Sequence, residues 1–476
     1  MSATFYWHDY ETFGVDPSRD RPVQFAGLRT DWDLNPVGEP LVVFAAPSRE
    51  VLPHPEACLV TGITPQRALA EGVPESEFIR LIHAELSQPG TCGVGYNSIR
   101  FDDEVSRYTL YRNFYDPYAR EWRDGNSRWD LIDVVRMTHA LRPEGIEWPT
   151  DDQGRPSFRL ELLTAANGIE HAAAHDALSD VHATIAMARL VRDRQPRLFE
   201  YALKLRDKRF AMEQLDIPAM RPVLHVSGMF GTARHNIGLI APLAQHPVNK
   251  NEIICYDLAV DPAPLESLNA DELAARLFAK SADLPEGEER PGIKTVHLNR
   301  SPMLMTPKLL DPAAAERLGI DGALCRDHLA RLRQLPDLVA RLQQVYAARS
   351  LPPINDPDRM LYSGGFFSDA DRRQMDEVRE ASPQQLAEQS FVFEDARVPE
   401  MLFRYRARNF PDSLDEAEQA QWEEFRFNYL TDPEAGASIT LEEYQQRIEA
   451  LLAEVGPERA QILHQLLEYG DSLLAG

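Results

Sequence analysis

Asp9 and Glu11 stand two residues apart just after an aromatic run, Phe5, Tyr6 and Trp7, whose propensity is for strand. On a strand, that spacing sends both carboxylates out of one face. Like charges held so close repel, and a divalent cation between them removes the repulsion. Oxygen donors alone suit a hard ion, Mg²⁺ or Mn²⁺, better than a softer metal. An isolated D-x-E pair is also common as a solvated strand end, so the pair needs company to mean chemistry.

Two further stretches supply it. TCGVGYN (91–97) reads as a short buried strand. Asn97, Phe101 and Asp102 in NSIRFD then open an amphipathic helix running to about Phe114, with Asp102 in its first turn. An acid there also complements the helix dipole or caps the helix, an ordinary structural use. The last stretch is HDALSD (175–180). His175 lies on a small-residue loop, HAAAHDAL, five residues before Asp180, which starts the helical run DVHATIAMARLVRDRQ. Taken together and in this order, the acids and the histidine suit two-metal attack on a phosphodiester.

The elements that position these groups alternate over residues 1–195. Strands are expected at 4–11, 23–30, 40–46 and 91–96, and helices at 74–87, 101–114, 158–167 and 179–194, a mixed α/β pattern. RQPRLFEY marks a boundary. From 196 to 350, short apolar strands punctuated by Gly and Pro (VLHVSG, GLIAPLA, EIICYDLA, TVHLN) precede helices from Ala323 to Ala348, the pattern of a small β-rich domain. LPPINDPDR (351–359) is a Pro/Asp linker, and the remainder to 476 is helical, with heptad-like apolar spacing in 440–455 and 457–474.

At 476 residues, with 43% hydrophobic and 26% charged residues, the chain is expected to be a soluble protein of two or three domains. The start carries no charged-then-apolar leader and no apolar run approaches the roughly 20 residues of a membrane helix, so a cytoplasmic protein without membrane partners is expected. Cys58, Cys92, Cys255 and Cys325 form no C-x-x-C pair, which argues against zinc and disulfides. The formal charge of -25 opposes an overall basic nucleic-acid binder. Local fields decide binding, however, and acid-rich segments (283–290, 413–425, 440–455) lie away from the nuclease-like motifs, while RDKR (206–209) and FRYRAR (403–408) are Arg-rich. Arg107, Tyr118, Trp122 and Trp129 cluster with Arg100, Arg112 and Arg128. Interleaved aromatics and cations form single-strand grooves, where stacking contributes roughly 1–3 kcal/mol per base; the same residue types also build cores.

The motifs HDYETFG, NSIRFDDE, NFYDPYAREW, NSRWDL, PSFRLE, NGIEHAAAHDALSDV, HVSGMFG and GFFSDADR resemble those of the DEDD-h 3′→5′ exonucleases, and within that group the exodeoxyribonuclease I family, over essentially the whole chain. The resemblance implies an RNase H-like exonuclease domain (1–195), an SH3-like β-barrel-containing domain with helices (196–350) and an all-α C-terminal domain (351–476). It implies two Mg²⁺ ions, with Mn²⁺ able to substitute, held by Asp9, Glu11, Asp102 and Asp180, and His175 as general base. His175 rather than His171 has the five-residue spacing to Asp180. Substrate contacts are implied at Glu11, Arg159, Arg107, Tyr118 and Trp122, and channel walls at 365–372 and 403–410, where Arg404 and Arg408 would share a helix face and Arg406 would point away.

The implied activity is processive 3′→5′ hydrolysis of single-stranded DNA to 5′-mononucleotides in DNA repair and recombination, by a monomer. The family resemblance also implies docking of the acidic C-terminal tail of single-strand-binding protein through Arg142, Tyr201 and Arg333; Asp311 stands where a basic residue would favour that tail. Two rival readings are a DEDD-h enzyme that trims RNA ends or proofreads, and a non-catalytic nucleic-acid-binding scaffold. The 280 or so residues beyond the first domain argue against the first rival, and the complete set of acids argues against the second.

Overall fold

The structure is a computed structural model and describes residues 3–171, 176–280, 283–285, 287–349 and 353–474. The chain divides into two compact units, Met1–Ser127 with His171–His182 and Pro353–Gly476, and Arg128–Glu170 with Ala183–Pro352.

In the first unit, β1 (Thr4–Thr12), β2 (Pro22–Thr30), β3 (Leu41–Phe44) and β4 (Thr91–Gly95) lie in the order β3-β2-β1-β4. β1 runs antiparallel to β2 and parallel to β4. The aromatic run explains the central place of β1, because Phe5, Tyr6 and Trp7 are all buried and Trp7 donates from Nε1 to Thr30 Oγ1 at 2.9 Å. β4 leads through a one-turn 3₁₀ segment into α2 (Asp102–Arg112), and α1 (Glu75–Leu86) buries Phe78, Ile79, Ile82 and Leu86 at helical spacing. The expected elements of this region are all present within three residues of their bounds. The short strand β5 (Ser127–Asp130) and the helix Leu131–Leu141 are additional. Composition hides β5: SRWD reads as a polar stretch, yet Arg128, Trp129 and Asp130 are buried.

The C-terminal helices α4 (Val398–Asn409), α5 (Leu441–Leu452) and α6 (Pro457–Leu474) belong to this same unit. α5 opens on a capping box, Thr440 with Glu443. The heptad-like spacing is real, since Leu441, Tyr444, Ile448 and Leu451 are buried. Their partners, though, include Phe13, Val23, Leu52 and Cys58 from the first 60 residues, so one apolar core is shared by the two ends of the chain.

Buried charge fastens the same junction. Arg408 meets Glu50 at 2.7 Å and Asp358 at 2.6 Å, Arg404 meets Asp356 at 2.7 Å and Asp358 at 3.3 Å, and Arg112 meets Glu75 at 2.9 Å. Arg21 lies 3.3 Å from Glu50 and 4.0 Å from Glu75. This corrects the expectation that Arg404 and Arg408 line a DNA path. They do share a face, but it faces acids inside the unit, and both side chains are under 10% exposed. Arg406, on the other face, pairs with Glu418 at 2.6 Å. Helical periodicity shows which side chains share a face and is silent on what that face meets.

The second unit holds β6 (Val223–Val226), β7 (Ile237–Gln245), β8 (Glu252–Asp257), β9 (Ile293–His297) and β10 (Met303–Met305) in an antiparallel sheet of order β10-β6-β7-β8-β9. A bulge at Pro242 accommodates the residue that cannot donate to the ladder. The helices Gly322–Gln334 and Leu338–Ala347 fill the expected 323–348 stretch and pack on this sheet with Leu265, Leu273 and Leu277. Among the described residues no helix is long and apolar enough to cross a membrane, and all four cysteines are buried free thiols.

Glu75 measures the buried charge. Burial alone would raise its pKa, but Arg112 and Arg21 outweigh burial and bring it down to about 2. A depressed carboxylate stabilises the fold fully above its unfolded pKa of about 4.3, and that stability is lost as pH falls toward 2. Glu75→Gln, which strands Arg112, is expected to cost about 3–5 kcal/mol at pH 7 by denaturant unfolding. The gap to the wild type should close between about pH 4.3 and 2; a gap independent of pH would show that the charge is not what matters.

Candidate active site

The end of β1 places two of the acids. Asp9 and Glu11 leave the same face of the strand, and the pairing with β2 slips just after Glu11, at Thr12. Glu11 is in register with Gln24 of β2, whose Oε1 accepts from Ala177 N at 3.5 Å. Ala177 is the first residue of α3 (Ala177–Arg194), which carries Asp180 in its first turn. The β1–β2 ladder thus seats the helix bearing the third acid.

Asp102 arrives from the other side. After β4, Asn97 takes a left-handed conformation (φ 68°), the chain turns sharply, and Asp102 becomes the first residue of α2. Its Oδ1 accepts from Tyr10 N at 3.0 Å, and Tyr10 stands between Asp9 and Glu11. Three acids open α2, and each has its own task. Asp103 binds Arg120 at 2.7 Å and lies 3.9 Å from His8 of β1, Glu104 binds Arg107 at 2.8 Å, and Asp102 accepts from the β1 backbone beside Asp9 and Glu11.

Ligand-capable oxygens of Asp9, Glu11 and Asp180 lie within 4.8 Å of one another. Asp102 stands outside that tight set, yet its charge is the largest neighbouring influence on Asp9. Burial, then the charges of Asp102, Glu11, Asp180 and Asp176, hold Asp9 well above the ordinary carboxylate range. Burial, with Asp180, Asp102 and Asp176, pushes Glu11 up to about 8. A set of acids this reluctant to ionise together is electrostatically suited to binding positive charge. The first turns of α2 and α3 contribute only the partial positive charge of helix N-termini. An all-oxygen set fits hard divalent cations.

His171 donates from Nε2 to Asp180 Oδ1 at 2.5 Å, in a largely buried contact. His175 lies outside the described residues. Asp176, which was not singled out from sequence, adds its charge to Asp9 and Glu11 and accepts from Ser179 N at 3.2 Å. Its signal was its place one turn before Asp180 on what becomes a helix. Gln24 had no such signal, because its role comes from strand register alone.

The expected substrate side chains separate into classes. Arg107 is buried and committed, with paired bonds of 2.7 Å to Glu121, one to Glu104 and one of 2.9 Å to Tyr362 Oη. Its guanidinium also lies 5.3 Å from the centroid of the half-buried Tyr118 ring. Trp122 is 64% exposed and flanked by Arg123, and Phe366, from GFFSDADR, is 85% exposed. Tyr118 stands 6.2 Å from Phe366 and 6.5 Å from Tyr362, which gathers three aromatic rings of the first unit. Arg112 and Trp129 are fully buried.

In the second unit, Arg159 is exposed and bonded to Glu161 at 2.6 Å. Of the residues expected to dock an acidic tail, Tyr201 donates to Leu304 O at 2.8 Å and Arg333 to Ala219 O at 2.7 Å, while Arg142 bonds the carbonyl of Leu141. Asp311 caps the short helix Pro312–Arg317 by accepting from Ala314 N at 2.8 Å, a structural use for the acid in that place.

Comparison with known proteins places this geometry. Three family models match: Exonuclease over residues 6–188, Exonuclease I SH3-like domain over 206–348 and Exonuclease I C-terminal domain over 355–473. The chain is 48% identical to exodeoxyribonuclease I of Escherichia coli K12, across 100% of this chain and 99% of that one. The chain belongs to the exodeoxyribonuclease I family. Solved exonuclease I structures agree throughout: that of the moderately thermophilic Methylocaldum szegediense is 53% identical with a TM-score of 0.95, covering 99% of this chain and 100% of that one. The E. coli enzyme in complex with a dA16 oligonucleotide is 48% identical, with the same TM-score and coverage. As in other exodeoxyribonuclease I chains, an exonuclease domain, an SH3-like domain and a helical C-terminal domain follow one another.

The raised pKa of Glu11 sets the sign of a metal-free experiment. A carboxylate whose folded pKa lies above its unfolded value costs the folded state stability as pH rises from about 4.3 toward 8. In chelator, Glu11→Gln is therefore expected to melt higher than the wild type at pH 8.5 and equally at pH 4. Millimolar Mg²⁺ should stabilise the wild type more than the variant. A wild type that melts higher at pH 8.5 in chelator would remove the repulsion argument.

Proposed function

We propose that this chain is a processive 3′→5′ exonuclease that hydrolyses single-stranded DNA to nucleoside 5′-monophosphates, acting as a cytoplasmic monomer in DNA repair and recombination. The observation that carries the reading is the gathering of Asp9, Glu11 and Asp180 within 4.8 Å, with Asp102 pressing on Asp9, in a chain akin to exodeoxyribonuclease I along its full length. Asp9, Glu11, Asp102 and Asp180 would hold two Mg²⁺ ions, with Mn²⁺ able to substitute; bound there, they supply Lewis-acid stabilisation of the charge that develops at phosphorus.

The protein's own contribution is placement and proton transfer. Tyr10 N fixes one oxygen of Asp102, and His171 engages one oxygen of Asp180, which orients both acids. His175 takes a proton from the attacking water, as an imidazole with an ordinary pKa near 6.5 does well at neutral pH. Glu11 also meets the terminal nucleotide. Upstream bases stack on Trp122, Tyr118, Tyr362 and Phe366, while Arg107 holds Tyr118 and Tyr362 in place through its acid pairs. Arg159 serves a backbone phosphate, for which a guanidinium offers two parallel donors.

The same reading divides the chain into an exonuclease domain (1–195), an SH3-like domain (196–350) and a helical domain (351–476). It gives Arg142, Tyr201 and Arg333 to the acidic tail of single-strand-binding protein, with Asp311 weakening that contact.

Incubating the protein with Mg²⁺ and end-labelled single-stranded DNA, RNA and duplex in parallel is expected to yield mononucleotides from single-stranded DNA alone. Release from RNA but not DNA would replace the reading with an RNA-trimming one, and binding without release would favour a scaffold. Asp9→Ala should abolish turnover while binding is kept or strengthened, because a negative charge facing phosphate is lost. His175→Ala should slow single-turnover cleavage roughly 10²–10⁴-fold with metal affinity unchanged; unimpaired cleavage by either variant would remove that residue from its role.

A further inference from the structure

The loop that continues β1 past Glu11, residues 13–21, is tied down by groups far apart in sequence. Phe13 N donates to Arg21 O at 2.9 Å, and His54 N donates to Phe13 O at 2.7 Å. Asp20, 4% exposed, turns inward; its Oδ2 accepts from Asp16 N at 2.7 Å, and its Oδ1 faces His54 Nε2 at 3.6 Å. His54 Nε2 in turn lies 2.7 Å from Ser438 Oγ, and Arg19 reaches Ala437 O at 3.4 Å. Ser438 sits two residues before the capping Thr440 of α5. A single imidazole nitrogen therefore stands between the loop after the metal-site strand and the C-terminal helical segment.

The fit is close. A Cβ added at Gly14 would stand 2.1 Å from Asp20 Oδ2 and 2.7 Å from the His54 ring, so the loop backbone lies directly on the pair. The tip of the loop is not so held, since Val15 is 85% exposed. Four residues of chain separate Val15 from Glu11, at most about 14 Å, or roughly two nucleotides of an extended strand.

We propose that His54 is a positioning residue for substrate: it clamps the 13–21 loop to Ser438, and so fixes the wall of the site along which the last nucleotides lie. This rests on the exonuclease reading given above. The clamp responds to pH. Asp20 beside His54 raises the imidazole pKa against the effect of burial, and Asp20 is held low in return. Asp16 and Arg19 on the loop, Glu56 beside His54, and Glu443 and Arg447 on α5 are the other charged groups facing it, with Arg447 itself paired to Glu56. Protonated His54 holds Asp20 by charge across 3.6 Å while its Nε2 hydrogen-bonds Ser438. Above its pKa the charge is gone, and one Nε2 must serve either Asp20 or Ser438.

Three variants test the clamp: His54→Ala, His54→Gln, whose amide nitrogen falls where Nε2 lies, and Ser438→Ala, which removes a single hydroxyl. Binding of a fluorescent oligo(dT) in Ca²⁺, without turnover, and steady-state kinetics in Mg²⁺ are read at pH 6.5 and 8.5 beside melting temperature. His54→Ala and Ser438→Ala are expected to weaken oligonucleotide binding and raise KM about 3–10-fold, with kcat within twofold. His54→Gln should bind like the wild type at pH 6.5 and lose the wild type's weakening between pH 6.5 and 8.5. Unchanged binding in Ser438→Ala, whether or not His54→Ala folds, would overturn the clamp. So would a His54→Gln variant as impaired as His54→Ala, or a loss that appears only in melting temperature. If the wild type releases no nucleotide from DNA, the exonuclease reading has failed; if it does and these variants match it, only the clamp has.

Discussion

Mutual repulsion among carboxylates is the constraint that the first unit is built to withstand. Burial, together with the charges that Asp9, Glu11, Asp102, Asp176 and Asp180 exert on one another, keeps Asp9 and Glu11 well above their ordinary titration range. A flexible scaffold would relieve that repulsion by letting the acids drift apart. Each acid is instead mounted on a rigid part: two on a central strand, one at the start of a helix that follows a left-handed turn, and two at the start of another helix whose first residue is gripped by β2. A further cost is met at a distance, in the buried pairs among Arg21, Glu50, Glu75, Arg112, Asp358, Arg404 and Arg408. Such pairs stabilise little in net terms when compared with apolar packing, but they tolerate no rearrangement, because any lost partner leaves an uncompensated charge. They confer rigidity of register more than stability, and the acid cluster requires rigidity of register.

The distribution of arginine follows from the same demand. A formal charge of -25 would ordinarily imply that cations are scarce where a polyanion must bind. Many of the arginines are inside, and even Arg107, which stands next to the aromatic surface, is committed to Glu121 and Glu104. At that surface the first unit presents exposed rings, with Arg123 beside Trp122, a combination that suits unpaired bases better than a duplex, whose bases are stacked away.

Much of this was legible in the chain. The aromatic run before Asp9 and Glu11 specified the strand and their two-residue spacing its shared face, and the stretch from Asn97 to Asp102 announced the helix that delivers Asp102. The apolar spacing of α5 correctly marked its buried stripe. What could not be read was partnership across long separations. Arg404 and Arg408 looked like exposed cations because their acids, Glu50 and Asp358, are recognisable as partners only once the ends of the chain meet. Gln24 gains its role from register, and His54 from a serine 384 residues away. Local periodicity carries the faces of an element; the identity of what a face meets is a property of the tertiary fold.

The discontinuity of the first unit also orders events in time. Its N-terminal stretch ends at Ser127 and its C-terminal stretch begins at Pro353, with more than 200 residues between them. At roughly 5–20 residues per second, a ribosome needs on the order of 10–50 s to cross that interval. For all of it, Glu50 and Leu52 wait without the C-terminal partners that later cover them. The strand carrying Asp9 and Glu11 is made early, yet the C-terminal helices that share its core come only after that interval. A nascent chain that has not passed Pro353 thus holds this strand without that half of its core, and chains broken off before it would be left with exposed apolar and charged surface that marks them for proteolysis.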